Sequence, residues 1–397
     1  MGVNVPRELE DEILSRVPEK SLARFRSVCK QWNTQLVDET FLEQHSSRMD
    51  YNYDDYGDQH RIIINNACSR LSSLDMVGPS SASIKDISLI NRKYPHEMRK
   101  RIKVYKIVHC TGLLLCVMDN QLLVWNPMLK ETRWVKCGSD FHCFDDAYGL
   151  GFVRQSPPPT HRSYKIVRFR CARNDRDRPP RVEVYEFAYN SWKVIADITF
   201  DWHLKLPLSN VSLGGNPYWI GLRQNDAFIQ SFDFSKERFQ PLDQQLPFGY
   251  NEHNPIALET FRGNKLSLLE QCHLTRKISI WVRHLITPWT ILMVVTIPHF
   301  PMLHQPPPPQ VKIRAWLYRS RFSISYFVDR NDETLVVSVF DEGPRSVSIY
   351  RVRNKEFQRV FVDTAGNSCS YVPSLAHPHG SSKQDTTRIR YRKNRFN

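Results

Sequence analysis

One pattern recurs in LLVWNPMLKETRWV (122–135), VEVYEFAYNSWKVI (182–195) and FIQSFDFSKERFQPL (228–242). In each stretch an apolar strand is followed by a short polar turn and then by an aromatic residue that opens a second strand. Two weaker copies follow, ISIWVRHLITPWTILMV (278–294) and VSIYRVRNKEFQRVFV (347–362). The repetition predicts a series of β-hairpins that occupy equivalent places in one architecture.

The spacing of the aromatic residues at the matching point of these hairpins indicates which architecture. Successive separations are 58, 47, 50 and 68 residues, and kelch-type propeller blades repeat at about 50 residues. We therefore predict a mainly β fold, a kelch-like β-propeller in which each hairpin is the outer half of one blade. The alternative is an all-β sandwich, in which hairpins recur without rotational symmetry. The aromatic residues are Trp134, Trp192, Phe239, Trp289 and Phe357.

The N-terminal segment has a helical periodicity instead. Pro6 suits the first turn of a helix, and the apolar residues that follow it recur on one face as far as Val17. Pro18 ends this helix, because the residue before a proline is biased away from the α region. Ser21 is the predicted N-cap of a second, amphipathic helix that continues to Trp32.

Four parts are predicted along the chain. Residues 1–47 form the helical module, and residues 48–60 form a linker because they are polar and acidic without periodicity. Residues 61–365 form the β domain. Residues 366–397 are expected to be a disordered, basic tail, since the chain end is polar and rich in arginine.

Composition excludes several classes of protein. With 41% apolar residues the 397-residue chain can bury a large core, and no apolar run is long enough for a membrane span. The acidic N-terminus does not resemble a signal peptide, and nine scattered cysteines are interpreted as reduced thiols, so we expect a cytoplasmic or nuclear protein. The net charge of +14 would suit either nucleic acid or an acidic protein partner.

The helical module resembles the F-box in VPRELEDEILSRVPEKSLARFRSVCKQWNTQLVDETFLEQH (5–45). Val5 and Val17 stand where the family most often has leucine, and both keep an apolar side chain. The resemblance implies a three-helix module that binds a Skp-type adaptor and, through it, cullin and RING subunits. The residues that it assigns to adaptor binding are Pro6, Leu9, Ile13, Leu14, Val17, Pro18, Leu22, Val28, Cys29 and Trp32.

The β region resembles the plant F-box-associated, kelch-like interaction domain from about residue 60 to residue 362. The resemblance implies that this domain holds a target protein and performs no chemistry, so the chain is expected to be the substrate-recognition subunit of an SCF-type ubiquitin ligase. The sequence segments that carry this resemblance are CTGLLLC (110–116), LLVWNPMLKETRW (122–134), YGLGF (148–152), YKIVRF (164–169), EVYEFAYNSWK (183–193) and LGGNPYWIG (213–221).

Two other functions stay open at this point. The chain could act as an F-box scaffold that recruits no substrate to a ligase, or as a basic β-propeller that binds RNA. Nucleic acid is the less expected partner, because the clusters at 99–103 and 388–395 come without a recognition fold. Target-binding residues are not identified, although the loops at 173–180 and 301–310 are candidates because binding residues concentrate on loops.

No catalytic residue, cofactor or metal site is predicted. Cys137, His142 and Cys143 lie close together, but no second pair of ligands completes a tetrahedral set. Gly149 and Gly151 lack the rest of a nucleotide-binding loop, so we interpret them as glycines that permit tight packing of a strand.

Overall fold

A computed structural model of the chain shows three helices and twenty-five strands in its described part. None of the described helices is long and apolar enough to cross a membrane. The structure describes residues 6–36, 38, 40–42, 45, 61–66, 71–77, 81–87, 104–138, 140–143, 146–155, 161–171, 179–196, 198–206, 208–242, 245–303, 324–329, 333–341, 346–362 and 366–378. The predicted linker, residues 48–60, lies outside them.

The helical module contains α1 (Arg7–Ser15), α2 (Glu19–Phe25) and α3 (Lys30–Gln35). The prediction that Ser21 caps a second helix continuing to Trp32 is wrong. Pro18 stands at the N-cap, and α2 begins at Glu19. The backbone is extended at Cys29 (φ −149°, ψ 161°), where the thiol accepts a hydrogen bond from the Trp32 N–H at 3.3 Å and so caps α3.

The strands form six antiparallel sheets, which we call blades 1 to 6. Blade 1 contains β1 (Arg61–Asn66), β2 (Leu71–Val77), β3 (Ser81–Ile87) and β25 (Gly366–Tyr371); blade 2 contains β4 (Val104–Cys110), β5 (Leu113–Met118), β6 (Gln121–Asn126) and β7 (Glu131–Lys136). Blade 3 contains β8 (Ala147–Gln155), β9 (His161–Arg170), β10 (Arg181–Glu186) and β11 (Ser191–Val194). Blade 4 contains β12 (His203–Leu204), β13 (Asn210–Leu213), β14 (Asn216–Arg223), β15 (Asp226–Asp233) and β16 (Arg238–Pro241). Blade 5 contains β17 (Ile256–Phe261), β18 (Lys265–Gln271), β19 (Ile278–Arg283) and β20 (Thr290–Val295); blade 6 contains β21 (Ser325–Val328), β22 (Leu335–Asp341), β23 (Ser346–Arg353) and β24 (Glu356–Val362).

The innermost strands of the six blades form a closed ring. Each contacts the innermost strand of the next blade in the order β25, β4, β8, β13, β17, β21 and back to β25. A ring of sheets around a central axis is a β-propeller, so the predicted fold class is confirmed and the alternative of a sandwich does not hold. Each of the five repeated hairpins forms the two outer strands of one blade, as the spacing predicted.

The ring is closed by pairing the two ends of the β region. In blade 1, β25 runs antiparallel to β1, with Ile62 opposite Ser370 and Ile63 opposite Cys369. The propeller therefore extends past residue 365, where the sequence placed the start of a tail. The basic residues beyond 378 lie outside the described part of the chain, and their disorder stays a prediction.

Four of the five repeated hairpins share a backbone feature directly before the outer strand. In four blades the residue directly before the outer strand has a positive φ, which tightens the turn in the manner of a bulged hairpin. The aromatic residue is the second residue of the outer strand in blades 3, 4 and 6, and the fourth in blade 2. The residues with a positive φ are Lys130 (φ 58°), Asn190 (φ 52°), Glu237 (φ 50°) and Lys355 (φ 64°).

Blades 3 and 4 approach so closely that only glycine fits between them. A Cβ atom on Gly151 would lie 2.1 Å from the carbonyl oxygen of Gly215, and one on Gly149 would lie 2.6 Å from Pro217. The same Gly215 oxygen accepts a hydrogen bond from the Phe152 N–H at 2.9 Å. The interpretation of Gly149 and Gly151 as packing residues is confirmed.

A small polar cavity of about 80 Å³ lies on the axis, lined by residues from all six innermost strands. Glu259 of β17 contributes a carboxyl group to its wall. Burial raises the pKa of this group to about 8, and hydrogen bonding to Ser325 and to the backbone offsets only part of that effect. The carboxyl therefore keeps its proton at neutral pH in the folded protein.

Glu259 should make the stability of the propeller fall as the pH rises. The folded-state pKa of about 8 lies above the ordinary value of 4.5. The stabilisation that the protonated carboxyl contributes is therefore complete below about pH 4.5 and is lost as the pH rises through 8. Glu259→Gln cannot ionise. From pH 6 to pH 8 its free energy of unfolding should therefore rise by about 2 kcal/mol relative to that of the wild type. Urea unfolding across this range measures the difference. Glu356→Gln, at an exposed position, is the control; equal pH profiles for wild type and Glu259→Gln would contradict the prediction.

Candidate adaptor-binding site and its junction with the propeller

The outward face of α1 carries exposed apolar side chains. Leu9 and Ile13 lie one helical turn apart, and their side chains are 52% and 59% exposed. Val28, in the turn before α3, is 63% exposed, and Pro6 and Cys29 are exposed as well. Large exposed apolar groups on a module this small are typical of a surface that a partner covers. These five of the ten predicted adaptor contacts are accessible.

The inward face of the same helices has a different role. Leu14 and Leu22 are 2% and 0% exposed and pack with Leu36 and Phe41 in the core of the module. Direct adaptor contact, which the sequence assigned to Leu14 and Leu22, does not fit this burial, because a buried side chain presents no surface to a partner. Val17, Pro18 and Trp32 are half-buried and could contribute to either surface.

Acidic residues of α1 hold α3 in place. The indole N–H of Trp32 donates to one carboxylate oxygen of Glu10, and the Gln31 amide donates to the other at 2.8 Å. The amide of Gln35, one turn further along α3, donates to Asp11. Sequence reasoning used this acidic run only as an argument against a signal peptide and missed its contacts with α3.

The core of the module is completed by residues of the propeller. Met128 and Leu129, in the turn between β6 and β7 of blade 2, pack against it from one side. Leu375, four residues past the end of β25, is 3% exposed and belongs to the same cluster. We call this contact the junction. A module of about 40 residues buries little core alone, so the propeller supplies part of its stability.

Asn126 organises the junction from the end of β6. Its side chain is 0% exposed, and its amide nitrogen donates to the carbonyl oxygens of Ser374 at 2.9 Å and Ala376 at 2.7 Å. Its amide oxygen accepts from the N–H groups of Met128 at 2.9 Å and Leu129 at 3.1 Å. Four hydrogen bonds satisfy the whole carboxamide, and they fix the turn and the C-terminal segment together.

A charged cluster borders the junction. The Glu131 carboxylate pairs with Arg26 of the helical module at 3.3 Å and with the His377 ring at 2.7 Å. Burial alone would raise the pKa of Glu131, but the hydrogen bonds and positive charges of His377 and Arg26 outweigh it and hold that pKa below its ordinary value. The carboxylate stays ionised and joins module, blade 2 and C-terminal segment.

Sequence reasoning missed the junction, although one signal was present. The turn of the first hairpin contains the apolar pair Met128 and Leu129 where a solvated turn would be polar. The missed contribution of the chain end had no such signal. Leu375 and His377 follow a strand that the sequence assigned to a tail.

The remaining candidate residues have structural roles. Cys143 is buried in the core between blades 2 and 3, and the His142 N–H donates to Asp146 at 3.2 Å. Asp146 in turn pairs with Arg168 at 3.1 Å and with Arg170 at 2.7 Å, which anchors the loop. Within the described residues no group of three His, Cys, Asp or Glu side chains could hold a metal. Most of the loops 173–180 and 301–310 lies outside the described residues.

Comparison with known proteins agrees with both parts of this architecture. The F-box domain family model matches residues 3–43, and the F-box associated beta propeller domain model matches residues 61–378. An F-box protein of Arabidopsis thaliana is 36% identical over 94% of this chain and 98% of its own length. The Arabidopsis thaliana F-box/WD-40 repeat-containing protein 1 is 35% identical over 96% of this chain and 90% of its own length. The chain belongs to the family of plant-type F-box proteins that carry an F-box-associated β-propeller domain.

Proposed function

We propose that the chain is the substrate-recognition subunit of an SCF-type ubiquitin ligase. The F-box binds a Skp-type adaptor, which links it to cullin and RING subunits, and the propeller binds a target protein. The observation that carries this proposal is the exposure of Leu9, Ile13 and Val28 on a module whose inner face is already covered by the propeller. The apolar outer face then has no partner within the described part of the chain.

The proposed role needs no catalytic chemistry in this chain. A receptor subunit accelerates ubiquitin transfer by holding a target lysine near a thioester on another subunit, which raises the local concentration of the reacting groups. Members of the F-box family act in general as adaptor subunits, and we place this chain with them. Catalytic residues therefore belong to the partner subunits. We also propose that the protein acts in the cytoplasm or nucleus.

The junction supports this geometric role. Because Leu375 and the Met128–Leu129 turn lie in the core of the F-box, side-chain packing holds the F-box in one orientation on the propeller. The Arg26–Glu131–His377 cluster fixes the same contact at its border. A fixed orientation keeps the target at a defined place relative to the adaptor and narrows the range of lysines that the ligase reaches.

Adaptor binding should depend on the exposed face of α1. The double variant Leu9→Ala, Ile13→Ala should weaken binding to a purified Skp-type adaptor by roughly thirty-fold or more, since central apolar contacts each contribute more than about 1 kcal/mol. Isothermal titration calorimetry measures the affinity. The variant should keep the wild-type melting temperature, because both side chains are exposed.

The matched control is Tyr189→Ala, Leu274→Ala, which removes two other exposed apolar side chains, on blades 3 and 5. It should bind the adaptor as the wild type does. Equal adaptor affinity for the wild type and the α1 variant would refute the assigned face. Adaptor binding without ubiquitination of a trapped target in a reconstituted ligase would favour a scaffold instead.

The junction should be sensitive to loss of one side chain. Leu375→Ala should destabilise the docked F-box by about 2–4 kcal/mol, because truncating a buried leucine removes apolar contacts and leaves a cavity. Hydrogen exchange should then accelerate in α1 to α3, while blades 3 to 6 keep their protection. The control is Leu303→Ala, an equal truncation in the core of blades 5 and 6, which should accelerate exchange there and not in the F-box. Uniform acceleration in both variants would show that no separate junction exists.

A further inference from the structure

Helix α1 is anchored to the rest of the F-box by little apolar packing. Among the side chains of α1 that the structure describes, Leu14 is the only buried apolar one, since Leu9 and Ile13 point outward. Packing through a single leucine keeps the helix on the core, but it only weakly resists rotation of the helix about its own axis. Other contacts must therefore set the direction in which the outer face of α1 points.

Two carboxylates flank Leu14 on the surface of α1. Successive residues of an α-helix are rotated by about 100°, so Glu10 lies about 40° to one side of Leu14 and Asp11 about 60° to the other. Glu10 accepts hydrogen bonds from the Trp32 indole and, at 2.8 Å, from the Gln31 amide, one on each carboxylate oxygen. Asp11 accepts from an amide in the second turn of α3. Contacts on both sides of the buried leucine oppose rotation of α1 in either direction.

Trp32 extends the contact of Glu10 to the turn that carries Val28. Its ring packs on Phe25 of α2, with 5.2 Å between the ring centres, and its backbone N–H donates to the Cys29 thiol at 3.3 Å. Val28, which is 63% exposed, lies between these two contacts along the chain. The hydrogen bond from Trp32 to Glu10 thus links the two parts of the proposed adaptor-binding face, α1 and the Val28 turn.

Glu12 lies on the same helix and takes no part in this arrangement. Its carboxylate pairs with Arg16 at 2.6 Å, and the two side chains are 48% and 68% exposed. Within the described part of the chain the Glu12 side chain forms no hydrogen bond or ion pair with α3. An exposed pair along one helix contributes little to stability and cannot orient that helix against another. Glu10 and Glu12 thus share charge and helix and differ in their contact with α3.

We propose that Glu10 is a positioning residue for adaptor binding. It acts through Trp32 and holds the apolar face of α1 at a fixed angle to Val28, so that one partner surface meets both together. A face that is ordered before binding gives a higher affinity, because the complex loses less conformational freedom when it forms. That this face binds a Skp-type adaptor rests on the proposed function.

The test measures the affinity of the full chain for a purified Skp-type adaptor by isothermal titration calorimetry. Glu10→Ala should bind about ten-fold more weakly than the wild type, because α1 then spends most of its time in orientations that the adaptor cannot use. Glu12→Ala removes the same charge from the same helix, and as the matched control it should bind like the wild type. Equal weakening by Glu10→Ala and Glu12→Ala would overturn the proposal.

Two further variants separate the hydrogen bond from the charge. Glu10→Gln is neutral, but its amide oxygen still accepts from the Trp32 indole, so it should recover most of the wild-type affinity. Trp32→Phe keeps a ring against Phe25 and lacks the N–H. In that background Glu10→Ala should weaken binding by no more than about two-fold, because the two residues act as a unit. An affinity of Glu10→Gln as low as that of Glu10→Ala, or additive losses in the double variant, would overturn the proposal.

Hydrogen exchange of the free protein separates positioning from unfolding. The amides around Leu14 and Leu22 should keep their protection in Glu10→Ala, because the core of the F-box is unchanged. Loss of protection throughout α1 to α3 would give Glu10 a purely structural role and overturn the proposal. A wild type without affinity for the adaptor would refute the proposed function, whereas a wild type that binds no better than Glu10→Ala would refute the role of Glu10 alone.

Discussion

The buried carboxamide of Asn126 is the interaction on which the arrangement of the whole chain depends. It has no exposed surface, and its four hydrogen bonds join the turn of blade 2 to the segment that follows β25. A buried amide without these partners would cost about 1–3 kcal/mol for each unsatisfied group. The same segment carries Leu375 into the F-box, and β25 closes the ring on β1. One side chain thus connects ring closure with the docking of the F-box.

The propeller itself is held by different interactions within and between its blades. Strand pairing stays inside each blade, so neighbouring blades are joined by apolar packing, by side-chain hydrogen bonds and, between blades 3 and 4, by the backbone hydrogen bond from Phe152 to Gly215. Tyr326 of blade 6 donates to Ser267 of blade 5 at 2.8 Å, and Asn210 of blade 4 donates to Tyr148 of blade 3 at 3.0 Å. Asn210 and Tyr148 also line the central cavity and contribute to its polar wall. Glu259 can therefore be accommodated there in its protonated form.

The sequence predicted those parts of the fold that depend on neighbouring residues. Each hairpin brings together strands a few residues apart, so its pattern of strand, turn and aromatic residue is visible in one stretch. Blade 1 pairs Ile63 with Cys369, from opposite ends of the β region, and no local pattern indicates such a contact. The break between α2 and α3 was missed for a related reason, because the apolar spacing continues through Cys29 although the backbone becomes extended there.

The candidate site shows the same limit at the level of single residues. Helical spacing identified Leu9, Ile13, Leu14 and Leu22 as apolar positions of one motif, and it could not divide them between core and surface, because both faces of the F-box are apolar. The division follows from the junction. Once Leu375 and the turn of blade 2 cover the inner face, Leu14 and Leu22 are buried and only the outer face stays accessible.

This division also fixes the direction in which partners can approach. The junction is on blade 2, so an adaptor bound to α1 stands on that side of the ring, and blade 5 lies on the opposite side. A flexible linker would let the target sample many distances from the adaptor and would dilute its local concentration. A target held on the propeller would instead stay at one distance from the adaptor, because the buried contacts of Asn126 and Leu375 fix the F-box on the ring.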